Sequence, residues 1–444
     1  MEGFALGLEH AATLPALLAV LAGTVLGVAV GVLPGLGSVV GITMILPFTF
    51  SMGQIPALAL MLGVYCGSVY GGSISAIVIN TPGTPQAAAT ALDGFPMAQR
   101  GEAALGWATT ASLIGGLFSV VVLILAAPQL AAFSLNFTAI EYFALGIFAL
   151  ICIANVSRGA MAKGILSGLI GLFIATIGVD HVTGDMRFTF GNFGLTGGIA
   201  LLAMTGGLFA LAEGGTRASE SLQARPEIIH RVGFRLPGWA AWRPRIGLTL
   251  KSCAIGSFVG TLPGTGAATS AFISYSEAKR TSPNRDRLGT GEPDGIVAAE
   301  SANNAVTGSA MVPTLALGIP GDPVTAVMLG TFIVHGLTPG PRLFTENIDL
   351  VYAVFLLLIA ANILMFAAGA LGAQLFTRAL RVPEPVLMTA VAVIALVGAY
   401  GVRGNPLDLL TAVLAGIGGF VLRKCGFPLA PMVIGLVLSG MIEN

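Results

Sequence analysis

From His10 to Leu92 the chain contains no Asp, Glu, Lys or Arg, a run of 83 residues bounded by Glu9 and Asp93. That is more than three membrane crossings at about 20 residues each, and a run of this length has no place on a surface that faces water. Further charge-free runs occupy 103–140, 188–212, 252–276, 301–321, 323–341, 350–377, 385–402 and 425–442. With the shorter apolar stretches near 142–157, 164–179 and 409–422, about ten to twelve crossings are expected. A soluble chain carries about 25% charged residues; this one carries 9%, against 55% apolar. The segments are apolar on every side rather than alternating, which argues against an outer-membrane barrel and predicts an all-α polytopic bundle in a lipid bilayer.

Charge also sets the expected topology. The first basic residue is Arg100, so the N-terminus lacks the basic region of a cleavable signal and is expected to start outside. Between Glu213 and Lys251 lie Arg217, Arg225, Arg231, Arg235, Arg243, Arg245 and Lys251 against Glu213, Glu220 and Glu227. This basic connection is placed in the cytoplasm, dividing the chain into a first membrane unit (1–216), a loop (217–245) and a second unit (246–444). The stretch Glu277–Asp294 balances Lys279, Arg280, Arg285 and Arg287 with four acids, which leaves its side open. Net charge is zero, with 21 basic and 21 acidic residues, so no nucleic-acid partner is expected. Cys66, Cys152, Cys253 and Cys425 stand singly and read as buried, inert thiols. His10, His181, His230 and His335 offer no haem-like pairing, and no cofactor is expected.

The two units repeat one another. Residues 31–37 read GVLPGLG and 260–266 read GTLPGTG; later, 80–85 read NTPGTP and 318–323 read GIPGDP. The order is kept. Pro removes a backbone donor and Gly opens angles closed to other residues, so each phrase predicts a broken or re-entrant helix. Broken ends expose N–H groups and carbonyls that hold anions and cations. Corresponding breaks in two halves point to a secondary transporter's binding site.

Small polar side chains gather at these breaks: Ser38, Thr43, Ser73, Ser75, Asn80, Thr81 and Thr84 in the first unit, and Thr261, Thr265, Thr269, Ser270, Asn303, Asn304, Thr307 and Ser309 in the second. They can serve a carboxylate or a sodium ion, or act as interhelical glue. Glu300 and Asp322 are acids inside apolar runs, a functional hypothesis by default. Glu300 is read either as such a group or as the cap of a helix at the membrane face. Asp322 either holds a cation or proton, or lies in a wet hairpin tip.

The segment YGGSISAIVINTPGTPQAAATALDGFPMAQRGEAALGW (Tyr70–Trp107) resembles the large membrane subunit of tripartite tricarboxylate transporters, as do GVLPGLG, GTLPGTG, AAESANNAVTGSAMVPTLALGIPGDP and HGLTPGP. The resemblance implies a bacterial inner-membrane importer of tri- and dicarboxylates. It would work with a small membrane subunit of about four helices and a periplasmic solute-binding protein, driven by sodium or protons. No GxxxxGK[ST] loop for ATP is present.

On this reading Pro34, Gly35, Gly37 and Ser38 face Pro263, Gly264, Thr265, Gly266 and Ala267 across inverted repeats. Asn80, Thr81, Pro82, Gly83 and Thr84, with Pro320, Gly321, Asp322 and Pro323, complete the substrate and ion path beside Glu300, Asn303 and Asn304. A sodium site is expected near Ser38, Thr84, Thr265 and Asp322. No Lys or Arg lies in these motifs, so helix ends and amides are expected to hold the anion. A passive channel and an intramembrane aspartyl protease built on Asp322 are the rivals; the protease would need a second, coupled acid, which the first unit does not supply at the matching position.

Overall fold

The computed structural model describes residues 2–156, 161–180, 183–220, 233–376, 378, 382–401 and 403–443. Arg225, Glu227, Arg231, His181 and His230 lie outside the described residues. The first half contains α1 (Glu2–Ala11), α2 (Leu14–Val32), α3 (Gly37–Thr49), α4 (Gln54–Ile79), α5 (Ala88–Gln99), α6 (Ala104–Ser134), α7 (Ala139–Val156), α8 (Met161–Ala175), α9 (Leu201–Thr205) and α10 (Ala212–Glu220). The second contains α11 (Trp239–Trp242), α12 (Ile246–Thr261), α13 (Gly266–Thr281), α14 (Pro293–Ser309), α15 (Met311–Leu317), α16 (Pro323–Val334), α17 (Leu343–Glu346), α18 (Ile348–Phe376), α19 (Glu384–Gly401), α20 (Pro406–Lys424) and α21 (Ala430–Glu443). Strands Gly178–Val179 and Met186–Arg187 pair antiparallel in the loop after α8. The fold is the expected all-α membrane bundle: five helices are long and apolar enough to cross a bilayer and six shorter apolar ones accompany them among the described residues.

Glycine decides the central packing. Gly23, Gly27 and Gly31 line one face of α2, and Gly63, Gly67 and Gly71 one face of α4, each at four-residue spacing. A Cβ at Gly27 would stand 2.5 Å from the Val64 carbonyl oxygen, and one at Gly63 2.6 Å from that of Val20. The two backbones are therefore in contact along their length. Gly256 and Gly260 of α12 meet Ala302, Ala305 and Ser309 of α14 in the same manner. The halves also exchange partners, since α6 packs on α14 and α18 on α4. Enclosed on all sides, α4 is buried throughout its apolar window, which is why its sequence shows no polar face. Leu371 on α18 and Val121 and Leu125 on α6 are exposed, as a lipid-facing surface requires.

Each GxLPGxG phrase is the tip of a helical hairpin. α12 is 16 residues long, about 24 Å, too short for a hydrocarbon layer of about 30 Å. Its start returns beside the end of α13, where Lys251 Nζ donates to Thr281 Oγ1 at 3.1 Å. The second polar stretch is thereby located. Arg245 Nε and Nη2 donate to Asp294 Oδ1 (2.6 Å) and Glu292 Oε1 (3.0 Å), putting 277–294 on the same face as the end of the basic connection. Arg100, after α5, reaches that face too, donating to the Gly291 carbonyl at 2.6 Å. At the base of the other hairpin, Gln54 Nε2 donates to the His335 carbonyl, after α16, at 2.8 Å.

Candidate functional site

The paired phrases adopt matching backbones. α2 ends where Leu33 N–H bonds to Val30 O, and α12 where Leu262 N–H bonds to Val259 O, both at 3.1 Å. Gly35 and Gly37 have φ of +85° and +64°, Gly264 and Gly266 +75° and +70°. Pro34 and Pro263 occupy the same place in each turn. The second phrase matches as well: α4 stops at left-handed Asn80 (φ 52°) and α15 at left-handed Gly318 (φ 72°). The chain then turns back to Pro85 and Pro323. Gly83 lies so close to the Gly31 carbonyl that a Cβ there would overlap it, and Gly264 N–H donates to Gly321 O at 2.8 Å. Each hairpin tip is thus locked to the break in its own half, bringing Pro34, Gly35, Gly37, Pro82 and Gly83 together on one side. Pro263, Gly264, Gly266, Pro320, Gly321 and Pro323 come together on the other.

A buried polar cluster gathers where α4, α5, α6 and α14 meet. Glu300 is fully buried at the middle of α14. Its Oε1 accepts from Ser73 Oγ at 2.5 Å and from Thr90 Oγ1; its Oε2 accepts from Ser112 Oγ (2.8 Å) and Asn304 Nδ2 (3.3 Å). The capping alternative for Glu300 is therefore corrected. α14 begins seven residues earlier at Pro293, with Glu292 at its N-cap, because Pro supplies the preset φ of a first helical turn. Four donors from α4, α5, α6 and α14 converge on this one carboxyl group. No cationic side chain bonds to it among the described residues.

Asp322 is 3% exposed, so the wet-tip reading is corrected too. It caps α16, accepting from Thr325 N–H at 2.7 Å in a reciprocal capping box, and Tyr65 OH donates to its Oδ2 at 2.6 Å across from α4. Aligning Pro85 with Pro323 pairs Thr84 with Asp322 and, carried back along α4 and α14, Tyr65 with Asn303. Where Tyr65 and Asp322 bond, their counterparts do not: Thr84 Oγ1 and both amide atoms of Asn303 are buried with no hydrogen-bond partner among the described residues, as is Asn304 Oδ1. Buried polar atoms are seldom left so, and these can receive a water, an ion or a substrate oxygen.

The four residues expected to share a sodium ion are not joined by any hydrogen bond. Ser38 Oγ accepts from Gln86 Nε2 at 3.0 Å, Thr265 Oγ1 donates to the Leu262 carbonyl at 3.0 Å, and Thr84 lies against Gly72. Thr81 bonds back to Ile79 O, Asn80 is exposed, and Ala267 packs on Val306 and Ala310.

The charge distribution of the tips also differs from expectation. Arg217 on α10 lays its guanidinium on Gly35, in the space a Cβ would occupy, while its Nε donates to Glu213 Oε1 at 3.0 Å. Glu213 in turn pairs with Arg423 of α20. Nothing local in the sequence joins Arg217 to a motif 182 residues away; only the packing of α10 does. Gly35→Ala combines a φ closed to other residues, about 1–2 kcal/mol, with displacement of that guanidinium. We expect roughly tenfold slower uptake at normal membrane yield, and unchanged uptake per milligram would remove Arg217 from the site. Asp93, which carries no motif signal in the sequence, is a second such case: its Oδ1 accepts the N–H groups of Gly289, Gly291 and Glu292, each at 2.8 Å, and its Oδ2 accepts from Tyr275 OH. It ties α5 to the polar face. Cys66 and Cys253 are buried as expected, but Cys425 is exposed and Cys152 partly so.

Together these features define an all-α polytopic membrane protein with a matched pair of helix breaks in each half and a buried polar cluster. The chain belongs to the tripartite tricarboxylate transporter TctA family, whose description it matches over residues 17–434. It is 36% identical, over all of its own length and 89% of the relative's, to the uncharacterized 52.8 kDa protein in the TAR-I ttuC' 3' region of Agrobacterium vitis. A second A. vitis relative, the uncharacterized protein in the TAR-II ttuC' 3' region, is 36% identical over 43% of this chain and 78% of its own. No solved structure matches. The family assignment makes this chain the large membrane subunit of a tripartite tricarboxylate transporter.

Proposed function

We propose that the chain imports tri- or dicarboxylates across a bacterial inner membrane by cation symport, receiving substrate from a periplasmic binding protein and working with a small membrane subunit. The observation that carries this reading is the matched pair of breaks, with one backbone geometry in both halves. The contacts of Gln54 with His335 at one face and of Arg100 with Gly291 at the other support an inverted relation of the halves. In such a fold, rocking the break-bearing core against the remaining helices exposes one site to either side. Glu300 and Asp322 are the buried groups at which a proton or sodium ion would be held. Glu300 and Asp322 also bond to separate partner sets, an arrangement that does not favour the coupled acids of an aspartyl protease.

The test is uptake of labelled citrate and a panel of dicarboxylates into proteoliposomes containing this chain and its small subunit, with and without the binding protein, under an imposed sodium or proton gradient. Uptake that requires the binding protein and one gradient is the expected result. Equilibration without a gradient would make the protein a facilitator and remove the coupling role of the two acids.

A further inference from the structure

We infer that the cleft between α7 and α13 is the cytoplasmic half of the carboxylate route, and that the structure holds the molecule open to that face. The inference rests on the transporter reading above and adds the path and the state. The cleft has a volume of about 1020 Å³. It runs along the second hairpin from Thr265 at the tip to a mouth at the hairpin base, where Lys251 and Arg280 lie, with Ile255, Leu262, Phe272 and Ile273 along its wall. Eleven residues of α13 separate Thr269 from Arg280, about 16 Å, or half the thickness of the hydrocarbon layer. At the mouth Glu277 pairs with both Lys251 and Arg280, leaving one net positive charge where an anion would leave or enter.

The decisive observation is the cleft's counterpart. Aligning the two GxLPGxG phrases pairs Thr43 of α3 with Phe272 of α13, and Pro47 with Ser276. In the first half these α3 residues close against α19: Thr43 and Pro47 meet Ala395, Gly398 and Ala399, and the void left is about 10 Å³. The Pro47 ring fills the space a Cβ on Gly398 would need. One seam is closed by side-chain contact and its twin is an open cleft. A carrier with two equivalent seams, one open and one closed, is in an end state of its cycle. The open seam leads to the face where Arg100, Arg245 and the 277–294 segment meet, the cytoplasmic face by its basic residues.

The Ile255, Leu262, Phe272 and Ile273 wall suits a lipid chain or the small subunit, whereas the Thr269 and Ser276 hydroxyls and the net cation at the mouth suit water and a carboxylate, and thiol labelling separates the two. Cys152 on α7 lines the cleft and reports on it, because a thiol reacts as the thiolate and needs water to ionise. Cys66 and Cys253 are buried and Cys425 is exposed, so C425S leaves Cys152 as the accessible thiol. The experiment is labelling of the full-length C425S chain, with its small subunit, by a charged membrane-impermeant maleimide in inside-out and right-side-out membranes. Labelling at least tenfold faster from the cytoplasmic side is expected. In T43C/C152S/C425S, position 43 should resist the reagent from both sides in the same resting membranes. Labelling of Cys152 from neither side would mean lipid or protein fills the cleft, and labelling from the outer side would reverse its direction; either overturns the inference, as does ready labelling at position 43. None of these readouts needs a substrate, so a failure of carboxylate uptake would be scored separately.

Discussion

Glu300→Gln is expected to insert and fold with the wild-type chain's melting temperature lowered by a few degrees, yet to lose gradient-driven uptake by about 100-fold or more, some 2.7 kcal/mol of transition-state free energy. Glu300→Ala is expected to fail earlier, at the level of the fold. The reason is the number of donors aimed at this carboxyl group: Ser73, Thr90, Ser112 and Asn304. Truncation to Ala leaves four buried donors unmade at about 1–3 kcal/mol each before relaxation, a large share of the roughly 5–15 kcal/mol that holds a domain together. Gln keeps the oxygen that faces Ser73 and Thr90 and sets an amide against Ser112 and Asn304. The Ser112 hydroxyl can turn to accept, so about one hydrogen bond is lost. What Gln cannot do is gain and lose a proton or neutralise a cation. Thermal melting in detergent and uptake under an imposed gradient separate the two substitutions; wild-type gradient-driven uptake by Glu300→Gln would exclude this carboxyl group from coupling.

The second large effect is expected at Gly27. In α2 a Cβ at this position would lie 2.5 Å from the Val64 carbonyl oxygen and 3.0 Å from the Ser68 nitrogen. Those atoms belong to the backbone of a fully buried helix and have no rotamer to adopt. Gly27→Leu must therefore separate α2 from α4, undoing the glycine seam and lifting the tip at Gly31 away from Gly83. Overpacking of ordinary cores costs about 1–3 kcal/mol, and forcing two backbones apart should exceed about 4 kcal/mol. The chain should fail to accumulate in the membrane, as judged by fluorescence-detected size exclusion of a tagged form. A monodisperse peak of wild-type height would show that the close approach of α2 and α4 is not needed. Gly256→Leu, at the related crossing of α12 and α14, is expected to behave alike.

Much of this architecture could be read from residues. Charge-free runs require a bilayer because solvent is excluded from nowhere else for so long, and duplicated Pro-Gly phrases require helix breaks because those residues cannot continue a hydrogen-bonded turn. Both are local properties, and both appear in the structure: the phrases end α2, α4, α12 and α15 at the marked positions. Glu300 and Asp322 were also visible, since an acid in an apolar run stands out against its neighbours. Their roles were not. Whether Glu300 capped a helix or faced four hydroxyl and amide donors depended on where α14 began and on which faces of α4, α5 and α6 met it. Asp322 needed Tyr65, 257 positions away.

Arg217 is the clearest case of what only tertiary structure decided. Its position in a basic connection gave it a topological reading, while the turn of α10 lays its guanidinium on Gly35. The asymmetry of the two seams belongs to the same class. The GxLPGxG phrases are nearly alike, yet the helices that follow them pack differently: Thr43 and Pro47 of α3 close on α19, while the paired Phe272 and Ser276 of α13 line a cleft that has Cys152 of α7 among its described lining residues. Composition and spacing act through short-range rules that each residue carries with it, and they determined the membrane, the helices and the places where helices break. Distances between segments far apart in the chain depend on how all helices pack at once, and that packing alone decided which polar groups meet, which remain unpaired, and which face is open.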